Sequence, residues 1–246
     1  MLILLPPSET KRAGGTGRSL SLDRLRFPAL TEARRTLADD VVALSIDTDA
    51  AIAALKLGPK QHAEVENNRT LWQSPTLPAL DRYTGVLFDA LDAASLSAEA
   101  RAFAGRHVVI HAALLGPVGA LDPIPAYRLS HDSRVPGRPL KRHWRSAVAE
   151  SLAAEAGLVL DLRSEAYVSL GPAPAGSHFL RVLTVGDGGV RRALNHFNKK
   201  AKGEFTRALV SARIDFQSVD ELLAWAPTAG FQLEAQADST DLALVV

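Results

Sequence analysis

Residues 1–5, MLILL, form an unbroken apolar run closed by two prolines. A short run without a polar face reads as a strand buried on both sides. Residues 28–57 carry apolar positions at helical spacing and read as two helices, and a Gly-Pro break at 58–59 leads into a further helical stretch. LPALDRYTGVLFDAL holds YTG at 83–85, where Gly85 permits a turn or a close backbone approach. HVVIHAALLG, 107–116, is the next strand, and the proline- and glycine-bearing segment after it, to about residue 140, reads as irregular. Irregular segments of that length inside a compact domain are usually functional or mobile. Residues 141–157 form an amphipathic pattern with a stop at Gly157, LVLDL (158–162) is a buried strand, and Ser164 is placed to cap a short helix. HFLRVLTV and VRRALNHF predict a hairpin around GDGG; a helix through GEFTRALVSARI, another at SVDELLAWA and a closing strand LALVV follow. Strands and helices alternate throughout. The predicted fold is α/β (mixed α+β), a central mixed sheet surrounded by helices.

A chain of 246 residues fits one domain, 1–246. With 47% hydrophobic and 22% charged residues it has the profile of a folded protein. Lys and Arg total 28 against 27 Asp and Glu, so affinity for phosphates must arise from local clustering. The absence of cysteine excludes disulfides, thiolate metal sites and a cysteine nucleophile. The apolar opening is too short for a signal-peptide core, and no run approaches the roughly 20 apolar residues of a membrane helix. These features predict a cytoplasmic protein.

Four strand candidates run directly into polar residues: Ser8, Glu9, Thr10 and Lys11 after the first; Asp122, Tyr127 and Arg128 after the second; Ser164, Glu165 and Tyr167 after the third; Asn198 and three lysines after the fourth. Ligands of open α/β sheets bind beyond the carboxyl ends of strands, so these segments are expected to meet at one pocket. Lys199, Lys200 and Lys202 stand in the first turn of a helix, where the macrodipole repels cations. An anion among them reverses the sign of that energy; side chains splayed into water are the alternative. His107 and His111 on a strand would be about 13 Å apart, too far to share a metal. The other histidines lack ligand spacing, GDGG reads as a turn, and no nucleotide-binding fingerprint is present, so no metal or cofactor is expected.

HFNKKAKGEFTR resembles the Lys-Lys-Ala-basic-Gly segment of the peroxide stress protein YaaA family, as do MLILLPPSETK, YTGVLFDAL, LLGPVGALDPIPAYRL and LRSEAYVSL, in the same order. The resemblance implies a bacterial cytoplasmic protein that protects against peroxide by limiting free iron. It also implies a mixed α/β fold with a helix-hairpin-helix element, here about 45–70, and a basic cleft for duplex DNA. The matching positions are Tyr83, Thr84, Gly85, Gly116, Gly119, Tyr127, Arg128, Ser164, Glu165, Tyr167, Lys199, Lys200, Lys202 and Gly203. The first loop departs from the family's Ser-Pro-Ala-Lys-Thr pattern: the lysine falls two positions later, at Lys11, and Glu9 is added. In the hairpin, Pro59 has no N–H to give a phosphate.

Two functions are therefore expected. In the first, a peroxide-response protein binds duplex DNA or a phosphorylated ligand through Ser8, Lys11, Tyr83, Thr84, Arg128, Ser164, Lys199, Lys200 and Lys202, with Gly58 and Lys60 contacting DNA. In the second, an enzyme acts on a small anionic or nucleotide-like substrate in the same cleft. Glu165 then serves as general base with Tyr167 and Lys199 beside it. A structural ion pair is the alternative role for Glu165.

Overall fold

The computed structural model describes residues 1–185, 191–193 and 198–246 except 238; of residues 185 and 191–193 it describes the backbone alone. In chain order the elements are β1 (Leu2–Leu5), α1 (Thr31–Leu44), α2 (Thr48–Leu55), α3 (Val65–Arg69), β2 (Leu77–Pro78), α4 (Ala79–Arg82), α5 (Val86–Leu91), α6 (Ala98–His107), β3 (Val108–Ala112), β4 (Gly116–Gly119) and β5 (Pro123–Ile124). They continue with α7 (Leu140–Ala153), β6 (Val159–Asp161), α8 (Glu165–Leu170), β7 (His178–Val185), β8 (Arg191–Ala193), α9 (Asn198–Ala212), α10 (Val219–Trp225), β9 (Gln232–Ala235) and β10 (Leu242–Val245).

The main sheet runs β4-β3-β1-β6-β7-β10-β9, with β8 also paired to β7. Pairing is parallel from β3 through β1, β6 and β7 to β10, and antiparallel for β4, β8 and β9. The sheet is therefore mixed and helix-flanked, as the alternation of patterns predicts. Every residue of β1 and β3 is buried, which explains why their sequences lack a polar face.

Several local expectations need correction. His107 ends α6 and donates from Nδ1 to the Met1 carbonyl at 2.7 Å, while His111 lies in β3; the two do not share a strand. The long segment after residue 116 is not simply irregular. Residues 116–119 form edge strand β4, where Pro117 is tolerated because an edge strand needs fewer ladder donors. Residues 124–130 are buried. Buried guanidinium groups supply the donors these carbonyls need: Arg34 donates to Leu115 at 2.8 Å and Pro117 at 2.7 Å, and Arg82 to Ile124 at 3.1 Å. Asn68 closes the segment by bonding both backbone groups of Arg128 at 2.8 Å. Helix α7 stops at Ala153, four residues before Gly157, whose φ of 88° serves the turn into β6. The hairpin of β7 and β8 forms as expected, and GDGG lies outside the described residues.

Candidate functional site

Strand β1 is flanked by β3 on one side and β6 on the other. The chain leaves β1 toward β3 and leaves β6 toward β7, so the order reverses between β1 and β6, and a crevice opens beyond their carboxyl ends. A cleft of about 620 Å³ occupies that place. Pro6–Thr10 after β1, Leu162, Ser164 and Tyr167 after β6, and Asn198, Lys199 and Lys202 of α9 line it, with Gly85–Phe88 and His131 opposite. Three of the four strand-end segments thus meet as expected. Gly85, at φ 97°, makes the approach of α5 possible: a Cβ there would sit 3.2 Å from both Ser8 Oγ and Thr10 Oγ1.

The lysines at the start of α9 have separate roles. Lys202 is buried, and its ammonium donates to the Leu162 carbonyl at 2.9 Å and the Arg163 carbonyl at 3.5 Å. It therefore answers the open carbonyls at the end of β6, and burial pushes its pKa down to about 8. Lys199 is exposed and faces the cleft, whereas Lys200 turns to solvent and pairs with Glu204 at 3.5 Å. No acidic residue stands in the first turn of α9 to balance the helix terminus.

Beside the cleft is a cluster of tyrosines. Tyr83 and Tyr127 share a hydrogen bond of 2.8 Å between their hydroxyls, and burial raises both phenol pKa values. The Lys11 ammonium stands 4.2 Å above the Tyr127 ring and donates to the Ser8 and Glu9 carbonyls at 3.1 and 3.3 Å. Burial lowers its pKa to about 8. Arg128 is engaged by Glu9 at 3.3 Å and Glu64 at 3.4 Å, so two carboxylates already occupy the guanidinium proposed as an anion holder. Behind Tyr167, Arg163 grips Asp161 through Nε at 2.8 Å and Nη2 at 2.6 Å, and donates from Nη1 to His111 Nδ1 at 2.8 Å. Burial, with the Arg163 charge, drives the His111 pKa well below its ordinary value, so this imidazole is neutral with its proton on Nε2.

Other expected site residues lie elsewhere. Glu165 is outside the cleft: it is exposed, pairs with Arg181 at 3.2 Å and borders a smaller hollow of about 290 Å³ with Phe179 and Ser177. Ser164 holds the N-cap position of α8 but makes no side-chain capping bond, contrary to expectation. Thr84 contributes its carbonyl, which accepts from Thr10 Oγ1 at 3.1 Å. The segment expected to hold a hairpin element consists of α2, a connection at 56–58, a 3-10 segment Pro59–Glu64 and the five-residue α3. Gly58 and Lys60 are exposed there, but Gln61 Oε1 accepts the Gly58 N–H at 3.0 Å and the Gln61 N–H returns to the Gly58 carbonyl at 2.8 Å. Of the three backbone N–H groups at 58–61, those of Gly58 and Gln61 are thus engaged, and Pro59 has none to give. Sequence reasoning did not single out His131, Phe88 or the buried Arg163, and weighed His111 only as a metal ligand; the buried pair leaves no motif, because His111 lies in β3 and Arg163 follows β6.

A sequence model of the family described as "Peroxide stress protein YaaA" matches residues 1–237. A UPF0246 protein of Corynebacterium glutamicum is 40% identical over 252 residues, covering all of both chains. A UPF0246 protein of Streptomyces coelicolor is 40% identical over 243 residues, covering 96% of this chain and 93% of its own. A further UPF0246 protein, from Bacteroides thetaiotaomicron, is 29% identical over 70% of this chain and 68% of its own. With a fold of the expected class and a match across nearly its whole length, the chain belongs to the peroxide stress protein YaaA family.

Proposed function

We propose that this protein is a cytoplasmic component of bacterial peroxide defence whose cleft binds a small phosphorylated ligand. Lys199 carries the reading: its exposed ammonium stands at the start of a fifteen-residue helix and faces the cleft, with Lys202 beside it at the cleft wall. Helix-terminal N–H groups and ammonium groups together favour a phosphate. The cleft volume of about 620 Å³ falls in the range of small-molecule sites. No cysteine is present, and among the described residues no helix is long and apolar enough to cross a membrane; both accord with the proposed compartment.

Duplex DNA is the other phosphate-bearing partner that the family suggests. Two features favour the small ligand instead: the hairpin's donors at Gly58 and Gln61 are already taken, and Arg128 is paired with Glu9 and Glu64. Salt separates the two. Binding of a nucleoside monophosphate is expected to weaken only a few-fold between about 50 and 200 mM salt, whereas duplex binding through several phosphates falls by orders of magnitude. Tight, steeply salt-dependent duplex binding that survives Lys199→Ala would overturn the proposal.

A further inference from the structure

Away from the cleft, the chain from Ser133 to Ala149 carries Arg134, Arg138, Lys141, Arg142 and Arg145 and no acidic residue. Arg138 is matched by Asp40. Lys141, Arg142 and Arg145, on the first half of α7, are exposed, and among the described residues none of them meets a carboxylate. Arg145 donates to the Ser169 carbonyl at 3.3 Å, a neutral partner that leaves its charge unanswered. No acid stands in the first turn of α7, so Lys141 and Arg142 oppose the helix dipole. Lys141 and Arg145, four positions apart, also repel one another. Carboxylates from outside would relieve both strains.

The three cations border an open groove of about 710 Å³, which Pro139, Ala149 and Pro172 also line. Pro172 lines the smaller hollow of about 290 Å³ as well, so the groove and the hollow adjoin. Close packing joins them: a Cβ on Gly171 would lie 2.2 Å from Val148 Cγ1, so glycine there lets the end of α8 rest on α7. Charges in the hollow are matched within the protein, Arg181 holding Glu165 and Asp241 while Arg163 holds Asp161. What the hollow offers a partner is therefore the apolar surface of Val168, Ala173, Pro174 and Phe179.

We propose that this composite surface docks an acidic peptide segment of a partner protein, with carboxylates on Lys141, Arg142 and Arg145 and an apolar side chain in the adjoining hollow. Guanidinium groups pair with carboxylates through two parallel bonds, and arginine clusters recognise acidic motifs in this way. Duplex nucleic acid fits less well: the unmatched cations are gathered on little more than one helical turn, and an apolar hollow gains nothing from phosphates. A membrane surface fits less well too, because none of the exposed large hydrophobic residues, Ile46, Val86, Leu121, Ile214 and Val246, lies here to insert. The surface shares no lining residue with the cleft, so the phosphate reading stands or falls separately.

The test is fluorescence anisotropy with a labelled peptide of aspartates bearing a leucine-phenylalanine pair, against the same peptide with serines in place of that pair. Wild type is expected to bind the first about tenfold more tightly than the second. Lys141→Glu weakens both about tenfold, Ala173→Asp removes the preference, and Lys199→Ala changes neither. The melting temperature of Lys141→Glu should hold or rise, since an acid in the first turn suits the dipole and pairs with Arg145; a fall would mark Lys141 as structural and overturn the proposal. Absence of binding by wild type, equal affinity for the two peptides, or affinity indifferent to Lys141→Glu also overturns it. So does displacement of the peptide by duplex DNA or phosphatidylglycerol vesicles at matched charge, which would show a general polyanion face. Loss of peptide binding in Lys199→Ala would place the peptide in the cleft and overturn the assignment to α7.

Discussion

Lys199 and Lys200 are neighbours in sequence with opposite assignments, which makes them the sharpest contrast at the residue scale. Lys199→Ala should weaken sulfate binding about tenfold, the ~1.4 kcal/mol of one charge-assisted hydrogen bond, while Lys200→Ala changes it less than about twofold. Lys202 adds a pH dependence. Its pKa is lowered from 10.5 to about 8, so above that pH the cleft loses a cation. Sulfate keeps its charge across this range, and its affinity should fall as pH rises through about 8; titration calorimetry at a series of pH values measures this. The sign for stability is opposite: between pH 8 and 10.5 the unfolded chain binds more protons at Lys202, so that residue's contribution improves as pH rises. Deeper in the fold, Arg163→Met would strand the Asp161 carboxylate and remove the donor to His111. Breaking a buried pair from one side costs about 3–5 kcal/mol, which urea unfolding would register. The lysine cluster was legible because helix-terminal cations are anomalous in any sequence. His111 and Arg163 were not, since their meaning depends on the parallel pairing that sets β3, β1 and β6 side by side.

Helix α9 does more than carry lysines, because its first half packs on α5. At Gly203 the two helices approach so closely that a Cβ would lie 2.2 Å from the Leu87 carbonyl oxygen. Intrinsic propensity says Gly→Ala in a helix gains about 1 kcal/mol. Backbone overlap opposes it, and overpacking costs about 1–3 kcal/mol or more, so Gly203→Ala should lower stability and weaken sulfate binding by displacing the end of α9 from the cleft. A raised melting temperature with unchanged binding would contradict this packing. Elements with one strong signature, the helical period of α1 and α10 and the unbroken apolar run of β1, were readable from the sequence. Strand β4 was hidden by Pro117 and by burial of all four of its residues, and β9 by its length, four residues at a sheet edge. The buried proline-bearing segment was the hardest to read. Its order depends on Arg34, Arg82 and Asn68, far away in sequence, to meet carbonyls that no neighbouring strand serves.

At the scale of the whole molecule, the sheet places its reversal of strand order where α8 and α9 begin, so residues from both helices line one crevice. Glu165, the expected general base, faces another hollow, and the cleft's own carboxylate is Glu9. The convergence of distant segments was legible as a consequence of α/β topology; which side chain turns inward was not, because helix phase at α8 decides between Glu165 and Tyr167, two positions apart. The most direct measurement of the central claim is a map of backbone amide shifts during titration with inorganic phosphate by two-dimensional NMR. The account predicts shifts centred on Asn198–Ala201, with Ser8, Ser164 and Tyr167 following and the hairpin around Gly58 and Lys60 silent. Shifts centred on that hairpin, or spread evenly over surface lysines including Lys200, would contradict it.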